Sequence, residues 1–274
     1  MDKWRGQAVW VMSLGVCLAL VLELVGAAEE VPSWPAFRGD AARTGFQPAE
    51  TSLQPPLKVD WIALRGDSFL PDVNLIIESS PVIANGKVYV ATIWQDPFVA
   101  RLDLATGAVE WTFPLPAAVA DENGVWSTLA VAGGKVYVAA FDGKLYCLDA
   151  ETGGLLWDRQ LAPASELRSM YASPVVYAGR VYIAPRVWGP TNLFCVDAEN
   201  GALLSAVPLH GSLFASPTIG QQMLFLIVQL PYQDAYRSRL EAYDVSNPSL
   251  PIQSGARRSR RTGAPARPST LRAR

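Results

Sequence analysis

Only one histidine, His210, stands in the chain, and its three cysteines are Cys17, Cys147 and Cys195. No two cysteines are adjacent and none forms a Cys-x-x-Cys pair, which argues against a zinc or haem centre of the usual ligand spacing. Gly-x-Gly-x-x-Gly, the phosphate-cradling P-loop and Gly-x-Ser-x-Gly are missing as well, so the common dinucleotide, nucleotide and nucleophile-elbow signatures do not apply. Charge is scarce at 18% of residues and unevenly spread. The last 18 residues hold seven of the 23 basic side chains and no acid, which leaves an acidic body that is a poor partner for phosphate backbones. Nucleic-acid binding is therefore expected of the tail or not at all.

What is present points to a turn-rich β protein. Half of the 274 residues are hydrophobic, which excludes a wholly disordered chain, and 21 Gly, 21 Pro and nine Trp suit short strands better than a helical bundle. Residues 1–28 read as a cleavable secretory leader: Lys3 and Arg5 begin it, an apolar run from Ala8 to Leu22 follows, and Gly26-Ala27-Ala28 offers small residues for cleavage. The competing readings are an uncleaved anchor, for which the run is short, and lipidation at Cys17, for which Val16 is too large. The expected address is secreted or periplasmic. Cys147 and Cys195 lie in the apolar runs LYCLD and LFCVD and read as small buried hydrophobes.

The chain repeats itself. LDLATGAVEW at residues 102–111, LDAETGGLLW at 148–157 and VDAENGALLS at 196–205 align on Asp103, Asp149 and Asp197, and Asp244 follows in AYDVSNPSLPI, at spacings of 46, 48 and 47 residues. That period belongs to propeller blades. Each unit opens with Ser-Pro or Ser-Thr (Ser80-Pro81, Ser127-Thr128, Ser173-Pro174, Ser216-Pro217), and a second strand follows a Gly-centred turn as KVYVAT, KVYVAA or RVYIAP. These strands alternate, yet both faces are apolar, as in sheets covered on both sides. The fold class predicted is an all-β propeller of four-stranded blades, with about four to five blades in an incomplete ring. Val59-Asp60-Trp61-Ile62 is a candidate first strand that would close the ring through the last blade.

The pattern [ALV]-x-D-x-x-[TN]-G-x-x-x-W resembles the tryptophan-docking motif of quinoprotein-like propellers, the PQQ-repeat family, which includes quinoprotein alcohol dehydrogenases and the assembly lipoprotein BamB. The resemblance covers about residues 34–245, and Trp34-Pro35-Ala36-Phe37-Arg38-Gly39-Asp40 with Thr44-Gly45 looks like the opening of exported members. It implies that Asp103, Thr106, Gly107, Trp111, Asp149, Thr152, Gly153, Trp157, Asp197, Gly201 and Asp244 lock each blade to the next, with no catalytic, cofactor-binding or metal residue among them. The residues themselves suit that part: Asp and Thr bond turn backbone, Gly permits close approach, and Trp offers a flat apolar surface. The repeat weakens along the chain, since Ser205 stands near a Trp position and the fourth copy lacks both Gly and Trp.

The expected organisation is a leader (1–28), a lead-in segment (29–58), blades (59–250) and a basic disordered tail (251–274). The Arg-rich end admits three readings: a basic arm for anionic partners, an unstructured extension, or the product of a shifted reading frame. An arc with blades missing would expose apolar faces and is expected to aggregate or fold incompletely. Candidate ligand residues are Asp67, Asp72, Asn74 and Glu78 before the first blade, Arg168, Tyr171 and Trp188 in loops, and His210 at a turn, which reads better as a loop residue than as a base. The function expected is an exported, non-catalytic binding or scaffolding propeller at the cell envelope, monomeric if complete, with a protein or polymer partner and no cofactor. The alternatives are a fragment of a PQQ-dependent dehydrogenase, which would bring PQQ and Ca²⁺, and the outer part of a larger sensor or assembly protein.

Overall fold

A computed structural model describes residues 34–43, 59–64, 76–93, 97–116, 124–163, 167–187, 191–209, 211–213, 215–229, 238–246 and 253–254. The leader at 1–28 and nearly all of the segment at 251–274 lie outside them. The described residues form nineteen strands and no helix, so no helix among them is long and apolar enough to cross a membrane. Blade 1 consists of β1 (Val82–Ala84), β2 (Lys87–Ala91), β3 (Phe98–Asp103) and β4 (Val109–Pro114). Blade 2 consists of β5 (Ala130–Ala132), β6 (Lys135–Ala139), β7 (Lys144–Asp149) and β8 (Leu155–Gln160). Blade 3 follows β9 (Leu167–Ser169) with β10 (Val175–Tyr177), β11 (Arg180–Ile183), β12 (Arg186–Val187), β13 (Thr191–Asp197) and β14 (Leu203–Leu209). Blade 4 holds β15 (Ser212–Leu213), β16 (Thr218–Gly220), β17 (Met223–Gln229), β18 (Ser238–Asp244) and β19 (Gln253–Ser254).

Every blade is an antiparallel meander, in the orders β1-β2-β3-β4, β5-β6-β7-β8 and β10-β11-β13-β14, while in blade 4 both β15 and β16 pair with β17 ahead of β18 and β19. The pairing of β9 with β12 extends the inner hairpin of blade 3, as β15 does for blade 4. Two-residue turns whose φ angles are both positive close the inner hairpins: Asn85 at 52° and Gly86 at 70° in blade 1, Gln221 at 50° and Gln222 at 63° in blade 4. This is the backbone that matches strand twist in a tight hairpin, and blade 4 adopts it without glycine. Gln253–Ser254 pairs with Tyr243 and Asp244, so the sheet runs past residue 250, where sequence composition had marked its end.

The core lies between blades. Tyr89, Ala91 and Val99 of blade 1 pack against Leu129, Val136 and Val138 of blade 2. The opposite face of blade 2, with Tyr137, Ala139 and Leu145, meets Val181, Ile183 and Val196 of blade 3. Blade 3 meets blade 4 in the same way, through Tyr182 and Leu193 against Leu224 and Leu226. Burial on both faces explains the doubly apolar strands. The innermost strands touch in succession, β1 with β5, β5 with β10 and β10 with β16, and among the described strands no contact of that extent joins β16 back to β1. Val59–Ile62 carries no ladder, contrary to the closing strand expected of it: its Trp61 packs on blade 1, while no strand of blade 4 reaches its edge.

Candidate functional site

The axial edges of all four blades meet one short piece of chain. Trp34 exchanges two backbone hydrogen bonds with Ile83 of β1, at 2.5 and 2.8 Å. The Val131 amide of β5 donates to the Pro35 carbonyl at 2.8 Å, and the Ile219 amide of β16 donates to the Ala41 carbonyl at 2.8 Å. Arg43 completes the set. Its Nε donates to the Pro217 carbonyl at 3.0 Å, Nη1 to that of Phe37 at 2.9 Å, and Nη2 to those of Ser173 and Pro174 at 3.3 and 3.4 Å. The guanidinium also sits over the Phe37 ring, 5.3 Å from its centroid. Burial draws the Arg43 guanidinium down to about 10, opposed by the nearby Asp40, so it stays charged at neutral pH. Trp34–Arg43 thus crosses from blade 1 to blade 4 and touches each.

A ladder of hydroxyls runs alongside. The Ser80 amide donates to Thr128 Oγ1 (3.3 Å), the Thr128 amide to Ser173 Oγ (3.0 Å) and the Ser173 amide to Ser216 Oγ (3.0 Å). The Ser-Pro and Ser-Thr starts are these rungs, one per blade. In blade 2 the rung is Thr128, while Ser127 bonds the Ala139 carbonyl as Ser79 bonds that of Ala91.

At the outer ends, Asp103 Oδ1 accepts from the Ala105 and Thr106 amides and the Thr106 hydroxyl, and Asp149 Oδ1 from Glu151 and Thr152 in the same way. Asp197 accepts from the Glu199 and Asn200 amides, and Asp244 from that of Ser246. Lys87, then Thr106, hold the Asp103 carboxyl down to about 2; the Thr152 amide lowers Asp149, and the Ser246 side chain lowers Asp244. Carboxylates held so firmly in the ionised form are poor proton carriers at neutral pH.

The glycines of the blade 2 and blade 3 turns receive tryptophans from the outer strand of the preceding blade, and that of blade 1 receives Trp61. A Cβ on Gly153 would stand 2.6 Å from Trp111, one on Gly201 2.7 Å from Trp157, and one on Gly107 2.6 Å from Trp61. Trp61 Nε1 donates to the Leu104 carbonyl at 3.0 Å and Trp111 Nε1 to that of Ala150 at 3.2 Å. Trp157 Nε1 is buried without a partner among the described residues, and the equivalent carbonyl, Ala198, accepts from Tyr137. Ser205 fills the tryptophan position of blade 3 with a buried hydroxyl beside the Cys195 thiol.

Few of the other candidates fall within the described residues. Asp67, Asp72, Asn74, Trp188 and His210 lie outside the described residues, Glu78 is exposed, and Arg168 lies on β9. Tyr171 is partly exposed and meets Trp126 edge-on at 5.6 Å. Cys147 and Cys195 are free and buried in different blades, and burial pushes the Cys147 thiol up to about 12. Among the described residues no three His, Cys, Asp or Glu side chains gather as a divalent ion would require. The sequence reading missed Arg43 altogether, since its partners are carbonyls up to 174 positions away and carbonyls carry no sequence signature.

Residues 70–186 match the family described as outer membrane protein assembly factor BamB. A 98-residue stretch is 39% identical to the dehydrogenase subunit of an alcohol dehydrogenase (quinone) from Gluconobacter oxydans, over 34% of this chain and 12% of that protein. A 207-residue stretch is 27% identical to the quinohemoprotein alcohol dehydrogenase of Comamonas testosteroni, over 67% of this chain and 29% of that protein. The solved structure of a quinohemoprotein alcohol dehydrogenase from Comamonas testosteroni superposes with a TM-score of 0.58 at 19% identity, over 86% of this chain and 44% of that one. The chain therefore has the fold of these propellers and spans less than a third of the length of the curated relatives it matches.

Proposed function

We propose that this chain of PQQ-type propeller repeats is an exported, non-catalytic binding or scaffolding module at the cell envelope, reached by way of the leader at residues 1–28. One observation carries the reading: Trp34–Arg43 fills the axial ends of the blades, where loops around a propeller's channel commonly hold its ligand. Arg43, the cation best placed to meet an anionic cofactor there, spends its guanidinium on four carbonyls of its own chain. Among the described residues no three His, Cys, Asp or Glu side chains gather, and a quinone with calcium belongs to the second reading given below. The blade-period residues Asp103, Thr106, Gly107, Trp111, Asp149, Thr152, Gly153, Trp157, Asp197, Gly201 and Asp244 serve as fasteners between blades. A protein or envelope polymer is the partner, bound on outer surfaces that the axial segment leaves free.

The similarity to quinone-dependent alcohol dehydrogenases favours a second reading, in which these blades are part of such an enzyme. Supplying the full chain with PQQ, Ca²⁺ and a panel of alcohols, and following reduction of an artificial electron acceptor, separates the two. The binding-module reading expects no turnover and no quinone retained after gel filtration. Alcohol-dependent reduction would replace it with the dehydrogenase reading.

A further inference from the structure

Blade 4 is unlike the other three on the face that should receive a following blade. In blades 2 and 3, Leu145 and Leu193 stand at the same place relative to the turn aspartate and are 0% exposed, whereas their counterpart Leu240 is 69% exposed. Ile227, the counterpart of the fully buried Ala139, is 52% exposed. The outer edge is open too. β8 pairs with β7 from Lys144 to Leu148, but β19 pairs only with Tyr243 and Asp244, so Ser238–Ala242 has no outer ladder among the described residues. An unpaired strand edge of this kind invites another strand.

The opposite end of the arc offers one. Val59–Ile62 has no ladder partner among the described residues, yet Trp61 stands on Gly107 as Trp111 stands on Gly153 and donates to the Leu104 carbonyl in the same manner. It thus occupies the place of an outer strand belonging to a blade before blade 1, with Val59 and Ile62 74% and 67% exposed. The hydroxyl ladder has matching ends. Among the described residues no bond continues it from the Ser216 amide, and none reaches the hydroxyl of the exposed Ser80. One end of the arc lacks an acceptor and an outer strand; the other presents both.

We infer that the occupant of these ends is a second copy of this chain. Trp61–Ala63 of each copy pairs with the edge of β18 in the other beyond the two residues that β19 already holds, with Trp61 opposite Ala242 as Trp157 is opposite Cys147, while each Trp61 keeps its seat on Gly107 of its own blade 1. The Ser216 amide of one copy donates to Ser80 of the other. Each copy contributes one donor end and one acceptor end, so the two contacts close a two-fold ring of eight blades, within the range of closed propellers.

The test uses the full chain with Ala63→Cys and Leu240→Cys, singly and together. By quasi-equivalence with Arg159 opposite Leu145, these positions face each other across the copies. The double variant is expected to form a covalent species of twice the chain mass on oxidation; each single variant alone is expected to form none, and a mixture of the two singles to form a mixed dimer. Light scattering of the unmodified chain is expected to give twice the chain mass. Leu240→Lys, at a site already exposed in one copy, is expected to abolish the double-mass species while keeping the cooperative melt. A monomer that melts cooperatively, an open-ended series of larger species, or a dimer that the cysteine pair does not cross-link would overturn the proposal.

Discussion

Trp111 of blade 1 takes up the space that a side chain on Gly153 of blade 2 would need, its Cδ2 lying 2.6 Å from the Cβ such a residue would carry. Gly153 also has a φ of 73°, so substitution there meets two independent penalties, backbone strain and displacement of an indole. The relation recurs at Trp157 and Gly201. Where the receiving glycine is absent from the sequence after Asp244, the donating position holds Ser205 in place of Trp. Giver and receiver disappear together, as a contact between blades requires.

Gly153→Ala is accordingly expected to destabilise the chain by about 2 kcal/mol or more, and Trp111→Ala by about 3 kcal/mol. The double variant should cost less than the sum, because removing the indole relieves the clash that the new methyl creates. Urea unfolding of the three variants measures the coupling, and strict additivity would remove the contact from the account.

Replacing Arg43 by Met strips donors from carbonyls in blades 3 and 4 and from Phe37 at once. A loss of about 3 kcal/mol is expected, and Arg43→Lys should recover little, since an ammonium cannot spread its protons over a planar fork. Thermal melts of the two variants check this, and full recovery by Lys would show that charge alone matters.

Acid should loosen these turns. Asp103, Asp149 and Asp244 all have carboxyls held below their ordinary value, so the stability they contribute is present above about pH 4 and is lost as pH falls further. For Asp103 the loss extends down to about pH 2. Asp103→Asn is expected to flatten the melting temperature against pH between about 4 and 2. An unchanged slope would exclude that carboxylate as a contributor.

Blade 4 carries avoidable strain. Gln222 holds a φ of 63° at a hairpin position where blades 1, 2 and 3 have Gly86, Gly134 and Gly179. Gln222→Gly is expected to stabilise the chain by about 1 kcal/mol, read as a rise in melting temperature. No change would mean that the turn is relaxed.

How much of this could be read from the sequence follows from what each contact is made of. The blade period, the four strands per blade and the turn aspartates announce themselves because side chains carry them at fixed intervals, as in Asp103, Asp149 and Asp197. Residues 34–40 were visible as a motif, but the acceptors and donors they meet are backbone groups of Ile83 and Val131, which any residue supplies. The same limit hid the rung at Thr128: neighbouring Ser127 has an equally suitable hydroxyl, and only the path of the chain decides which one faces the next blade. Val59–Ile62 reads as a strand by its residues, yet a strand needs a partner edge, and among the described residues none lies beside it.

The seating of Trp34–Arg43 across all four blades can be read from hydrogen exchange at the amides of Ile83, Val131 and Ile219, which donate to Trp34, Pro35 and Ala41. Slow exchange is expected at all three, and Arg43→Met together with Trp34→Ala should accelerate them together while the β6–β7 ladder stays protected. Fast exchange in the unmodified chain, or protection that survives the double substitution, would contradict it.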